Sequence, residues 1–278
     1  MNKGLRSLSR EAVFNVVLVM FVLVALYPIY MLFSTSLKTP AEFYRSMFSL
    51  PSNPRWENYS MVFIKWGFYR NFINSLIFAG SVTSICLVLS VPAGYAFALY
   101  RFRGRDVLFI TILLALTLSE VSLLIPIYQL LNDLKLINTY GGLIFPQVAL
   151  GLPFAIFLLT TFFREIPAEV LDAGKIDGCS DLRLLWNIVL PLGMPAIKAV
   201  SVMELMWAWN SFFFPFVVTT KYHIMPLSVS LMHFKGRYTM QYGSMATTCV
   251  IMLLPMVVLY LVMQKSFVRG ITFGAVKG

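Results

Sequence analysis

Six stretches of this sequence are apolar enough, for long enough, to cross a bilayer: residues 12–33, 72–100, 107–131, 140–163, 199–220 and 243–264. A hydrocarbon core of ~30 Å takes about 20 residues of helix. Backbone in lipid must satisfy its own hydrogen bonds, so only helices and closed barrels can span. Continuous runs of this length specify helices. The expected fold class is all-α: a polytopic membrane protein with six transmembrane helices, forming a single transmembrane domain over residues 1–278. The first run is too long for a signal-peptide core, and no small-residue cleavage site follows it, so it is expected to be retained.

Composition agrees. Hydrophobic residues make up 59% of the chain and charged ones 12%, against about 25% charged in a soluble domain. Such a chain cannot hide its apolar surface from water. The formal charge of +10 would suggest nucleic acid in a soluble protein. Here no nucleic-acid partner is expected, because lysines and arginines also fix cytoplasmic loops. Cys86, Cys179 and Cys249 are scattered, and His223 and His233 lie ten residues apart. Neither pattern has metal-ligand spacing, so no metal site is expected.

Basic residues orient the spans. Lys3, Arg6 and Arg10 precede the first, Arg101, Arg103 and Arg105 join the second to the third, and Lys265, Arg269 and Lys277 follow the last. With six spans all three groups fall on one side, which predicts both termini in the cytoplasm. Lys221, Lys235 and Arg237 fall on the outer side and oppose this weakly. The long segment 34–71, with its "SLPSNPRWENY", faces outward and reads as a loop with turns.

One stretch breaks the oily pattern: "EVLDAGKIDGCSDLRLLWNIVLP", within the cytoplasmic segment 164–191. Pro167 suits a first helical position, and a helix follows through Glu169 and Asp172 to Ile176. Asp177-Gly178 is a turn signal, with Gly178 suited to the left-handed conformation that stops a helix. Ser180 can cap a second helix, with Leu184, Leu185, Ile188 and Val189 on one face and Pro191 at its end. Ala173-Gly174 leaves a bare patch where another surface can approach. Charge runs are often only solvated faces, but a rigid helix–turn–helix suits docking to a soluble partner.

The stretch resembles the "EAA" loop, E-A-A-x3-G-x9-I-x-L-P, of the permeases of ATP-binding-cassette importers. Asp172-Ala173-Gly174, Gly178 and Ile188-Val189-Leu190-Pro191 match it in spacing. Asp172 stands for Glu and Gly174 for the second Ala. "IPIYQLLNDLKLINTYGGLI", "PFAIFLLTTFFREIPAE", "WAWNSFFFP" and "FVRGITFGAVKG" are similar to the maltose-type carbohydrate permeases. Ser211 departs from the acidic residue common after Trp-Asn in that family.

The resemblance implies a type I importer permease in a prokaryotic inner membrane. It would pair with a second permease, as a heterodimer, and with two cytosolic ATPase subunits. Those subunits hydrolyse ATP with Mg. An extracytoplasmic binding protein would deliver the solute. The loop at 167–191 would couple ATPase closure to alternating access. The chain itself has no GxxxxGK[ST] phosphate loop and is expected to bind no cofactor and to be no enzyme.

Glu120 and Glu204 lie inside spans, where a charge costs about 2.5–3.5 kcal/mol at the bilayer centre, so each should face protein or a wet cavity. Glu204 sits nearer the cytoplasmic end and can snorkel. At 100° per residue Glu204, Ala208, Ser211 and Pro215 share one arc, with Met203, Trp207 and Asn210 beside it. Glu204, Trp207, Asn210 and Ser211 are candidate pathway residues for a polyhydroxylated solute, with polar glue between helices as the alternative. The third span does not resolve, since Glu120 lies opposite Ser122 and Gln129. A rival function is an ion-coupled secondary transporter that uses Glu120 and Glu204. Residues 221–242 are expected to reach the binding protein. The tail 267–278 is expected to lie against the ATPases, loosened by its glycines.

Overall fold

The computed structural model describes the backbone of residues 2–234 and 241–275 and the side chains of 13–234 and 241–263. In chain order its helices are α1 (Asn2–Ser36), α2 (Pro40–Arg45), α3 (Glu57–Ser60), α4 (Phe68–Leu99), α5 (Arg105–Leu114), α6 (Glu120–Asp133), α7 (Tyr140–Phe163), α8 (Ala168–Ile176), α9 (Asp181–Leu184), α10 (Leu190–Asn210), α11 (Phe213–Val218), α12 (Leu227–Ser230) and α13 (Tyr242–Ala275). No strand occurs among the described residues. Five helical segments are long and apolar enough to span: 13–36, 68–99, 140–163, 181–210 and 242–263. The pair α5 and α6, bent by 102°, makes a sixth if it counts as one broken span. The all-α expectation therefore holds, with three revisions to the spans.

First, the predicted third span, 107–131, is not one straight helix. A 3₁₀ turn at Ala115–Thr117 leads to Leu118 and Ser119 in extended conformation, and α6 starts afresh at Glu120. Second, the predicted fifth span, 199–220, begins much earlier. Residues 181–210 form one helical run, so Pro191 does not end the second loop helix. The turn Leu185–Val189 is a π-helix, and Leu190 donates to Leu185, five residues back. That wider turn absorbs the missing N–H and the ring of Pro191, which would break a regular α-turn. Third, the same run stops at Asn210. Pro215 has no N–H for the Ser211 carbonyl and its ring crowds it. The chain turns out at Ser211, whose carbonyl instead accepts from the Ser228 hydroxyl at 2.8 Å.

The chain divides into two compact units, Met1–Phe68 with Leu231–Leu254, and Tyr69–Ser230 with Pro255–Gly278. In the first, the segment after α1 is more ordered than a loop with turns. Lys38 is buried, and its ammonium donates to the Ser46 and Met47 carbonyls at 3.1 and 2.9 Å, just past the end of α2. A cation there meets the unsatisfied carbonyls of a helix C-terminus. Asn58 donates to the Ser36 carbonyl at 2.8 Å, the Thr247 hydroxyl donates to the same oxygen at 3.2 Å, and Phe43 stacks on Tyr242.

In the second unit, α4, α7 and α10 share two apolar cores. One joins Phe78, Ala79 and Val82 to Leu143, Val148, Ala208 and Trp209. The other joins Cys86 and Tyr95 to Leu159, Phe163, Val189 and Val200, and takes in Leu171, Leu184 and Leu185 of the charged stretch. At the opposite end of α4, Asn71 and Asn74 donate to the Met225 carbonyl at 2.8 and 3.1 Å. Ser75 accepts from the Leu227 N–H at 2.8 Å. Residues 224–230 are thus held down and largely buried. The expected outward reach of this loop falls on Lys235, Arg237 and their neighbours, which lie outside the described residues. The tail's backbone stays helical through Gly270 and Gly274 to Ala275, so these glycines do not interrupt it. Its side chains lie outside the described residues.

Candidate coupling loop and solute cavity

The charged stretch folds as a wedge whose lower face is apolar. Pro167 is the N-cap residue of α8 rather than its first helical residue. The helix ends in a Schellman motif: Cys179 donates to Gly174 at 3.0 Å and Gly178 to Lys175 at 3.0 Å. Gly178 has φ +78°, the conformation the turn requires, and open space where a Cβ would stand. Ser180 takes the N-cap position of α9, but its side chain makes no capping bond. The Tyr95 hydroxyl instead ties this end to α4, donating to the Asp181 carbonyl at 3.2 Å.

Gly174 is buried, which revises its expected role as a bare docking patch. A Cβ there would stand 2.5 Å from Ile188 Cδ1 and 2.8 Å from Leu184 Cδ1. The close approach is therefore internal: Ile188 fills the space that a small residue at 174 leaves. The spacing between these two positions acquires a packing reason. Leu190 is half-buried against the same core.

The outer face of the wedge is exposed. It carries Glu169, Asp172, Ala173, Lys175, Asp177 and Gly178. Asp172 pairs with Lys175 at 3.5 Å in full solvent, which contributes little stability. Among these charges stand Ile176, Leu182 and Trp186, 85%, 70% and 66% exposed.

Along the same continuous helix lies a cavity of about 430 Å³. It is lined by Leu116, Leu118 and Glu120 at the α5–α6 break, Leu150 and Phe154 of α7, and Met203, Glu204 and Trp207 of α10. Glu204 is 1% exposed and does not snorkel. Gly151 makes room for it: a Cβ at 151 would collide with the Glu204 carboxylate. Two of the four candidate pathway residues thus line the cavity. The other two do not. The exposed Asn210 side chain donates to the Met206 carbonyl of its own helix at 2.8 Å, and Ser211 is buried and donates to Gln147 at 3.0 Å. Glu120, unresolved by periodicity, joins Glu204 here because the third span bends. A readable signal of the bend was Ser119-Glu120, a helix-start pair within an apolar run.

The family described as "Binding-protein-dependent transport system inner membrane component" matches residues 90–273, which span the cavity, the wedge and the helix that joins them. The chain belongs to this family. The permease is 31% identical to the trehalose transport system permease protein SugB of Mycobacterium tuberculosis, over 91% of this chain and 93% of that one. It is 29% identical to the arabinooligosaccharides transport system permease protein AraQ of Bacillus subtilis, over 99% and 100%. It superposes with a TM-score of 0.80 on a chain of a bacterial ABC transporter that imports the acidic polysaccharide alginate, at 25% identity, covering 95% and 98%. The permease is a transport component of an inner membrane that works with a binding protein, and not an enzyme.

Proposed function

We propose that this permease forms half of the translocation pathway of a carbohydrate importer, paired as a heterodimer with a second permease. Two cytosolic ATPase subunits hydrolyse ATP with Mg, one of them docked on the wedge at 167–191, while this chain binds no cofactor. Both termini and the wedge face the cytoplasm. A binding protein delivers the solute from the other side.

The continuity of residues 181–210 supports this reading best. The docking surface at Leu182 and Trp186 and the cavity residues Glu204 and Trp207 share one helical run. A push on the wedge reaches the cavity without crossing a loop. Carbohydrate as the solute class rests on relatives named for arabinooligosaccharide and trehalose transport, and an aromatic face beside carboxylates suits a hydroxylated ligand.

The rival ion-coupled carrier has family membership against it. Uptake by proteoliposomes that hold the complete importer and its binding protein separates the two. Sugar uptake should require ATP inside the ATPase-accessible compartment and survive collapse of proton and sodium gradients. Uptake driven by an ion gradient without ATP would overturn the proposal.

A further inference from the structure

We infer that the break between α5 and α6 opens a water-filled subsite whose two lining carboxyls, Glu120 and Glu204, admit neutral or cationic hydroxylated solutes and exclude anionic ones such as uronate-bearing sugars. The solute class rests on the importer reading above. The wetness and charge of the cavity do not.

Three observations carry this. Irregular backbone at membrane depth survives only where protein buries it or where it lines a cavity. Discontinuous helices form solute sites in other membrane carriers for that reason. Here Ala115, Leu116, Leu118 and Glu120, the residues of the break, line the cavity directly. Second, Glu204 is almost wholly buried, and its Oε2 has no hydrogen-bond partner among the described residues. A buried polar atom without a partner is expensive, and the residue that carries this one lines the cavity. Third, the lining holds two acids and no Lys, Arg or His. Trp207 and Phe154 complete it with aromatic surface on which a sugar ring can lie. A solute carboxylate would meet two acids and no counter-charge.

The test uses the assembled importer with Cys86, Cys179 and Cys249 replaced and one thiol placed in the lining, by Met203→Cys on α10 or Leu150→Cys on α7. Each is reacted with trimethylammonium-ethyl and sulfonato-ethyl methanethiosulfonate, with rates taken relative to free cysteine. The cationic reagent should react at least about tenfold faster, as two carboxylates lining one cavity imply at reduced dielectric. Glu120→Gln with Glu204→Gln should reduce that preference to less than about threefold. No reaction at either thiol would show a dry cavity and overturn the inference, as would equal rates or a preference for the anion. If the importer moves no sugar with ATP while the charge preference holds, the importer reading fails and the cavity assignment stands.

Discussion

Two glycines in the wedge do different things, and substitution separates them. Gly178 holds φ +78° with open space where a Cβ would stand, so a side chain there meets strain rather than collision. That strain is on the order of 1 kcal/mol or more. Gly178→Leu should insert at normal level and then lose ATPase association, or retain it with hydrolysis uncoupled from uptake. Asp172→Ala should do less, since it removes one exposed charge and leaves the turn alone. Purified complexes of both variants, assayed for retained ATPase and for uptake, decide this. Near wild-type uptake by Gly178→Leu would sink the docking assignment. Gly174 has no special φ but sits under Ile188 and Leu184. Gly174→Ala meets only the flexible ends of those side chains, so it should keep most transport. Gly174→Leu should pry α8 from the helix beneath and abolish coupling, with membrane insertion unchanged. Equal uptake by the two variants would refute the packing role.

Elements show how proline acts by context. Pro191 sits behind a π-turn and Pro195 lies inside α10, and the helix runs past both, whereas ahead of Pro215 it has already stopped at Asn210. Outside the spans, α2 is tied to the chain beyond it by charge. Glu42 accepts from the backbone N–H of Ser52, which holds its carboxyl below the ordinary carboxylate range. A lowered folded pKa means the contribution is complete above the ordinary value of 4.5 and lost as pH falls through the folded value. Protection factors of the amides over residues 40–52, corrected for the intrinsic pH dependence of exchange, should therefore fall as the medium is acidified below pH 4.5. Glu42→Gln should exchange faster at neutral pH and lose that dependence. An acid response that survives in Glu42→Gln would assign it to another group.

At the scale of the molecule, the six-span topology proposed above predicts that the wedge and residues 34–71 face opposite sides of the membrane. Thiols at Ser180 and Ser52, in a cysteine-free background, test this with a membrane-impermeant reagent. Ser52→Cys should label in intact cells, and Ser180→Cys only in inverted vesicles. Labelling of both from one side would overturn the topology. Deletion of residues 267–278 should lower uptake or ATPase stimulation without blocking insertion. Wild-type values for both would remove the tail from the coupling machinery.

Read without coordinates, the sequence established the lipid solvent, the helical class and the wedge with its turn at Gly178. These follow from local causes: the length of apolar runs, and a residue type that alone tolerates positive φ. It also marked Glu204 and Trp207 as neighbours, because 100° per residue holds within one unbroken helix. That rule fails where a helix breaks, and so it carried Ser211 into the cavity and left Glu120 out. The bend between α5 and α6, the π-turn before Pro191 and the seat of Ile188 over Gly174 were decided by tertiary structure alone. Each depends on which neighbour supplies a hydrogen bond or fills a space, and such neighbours lie far apart in the chain.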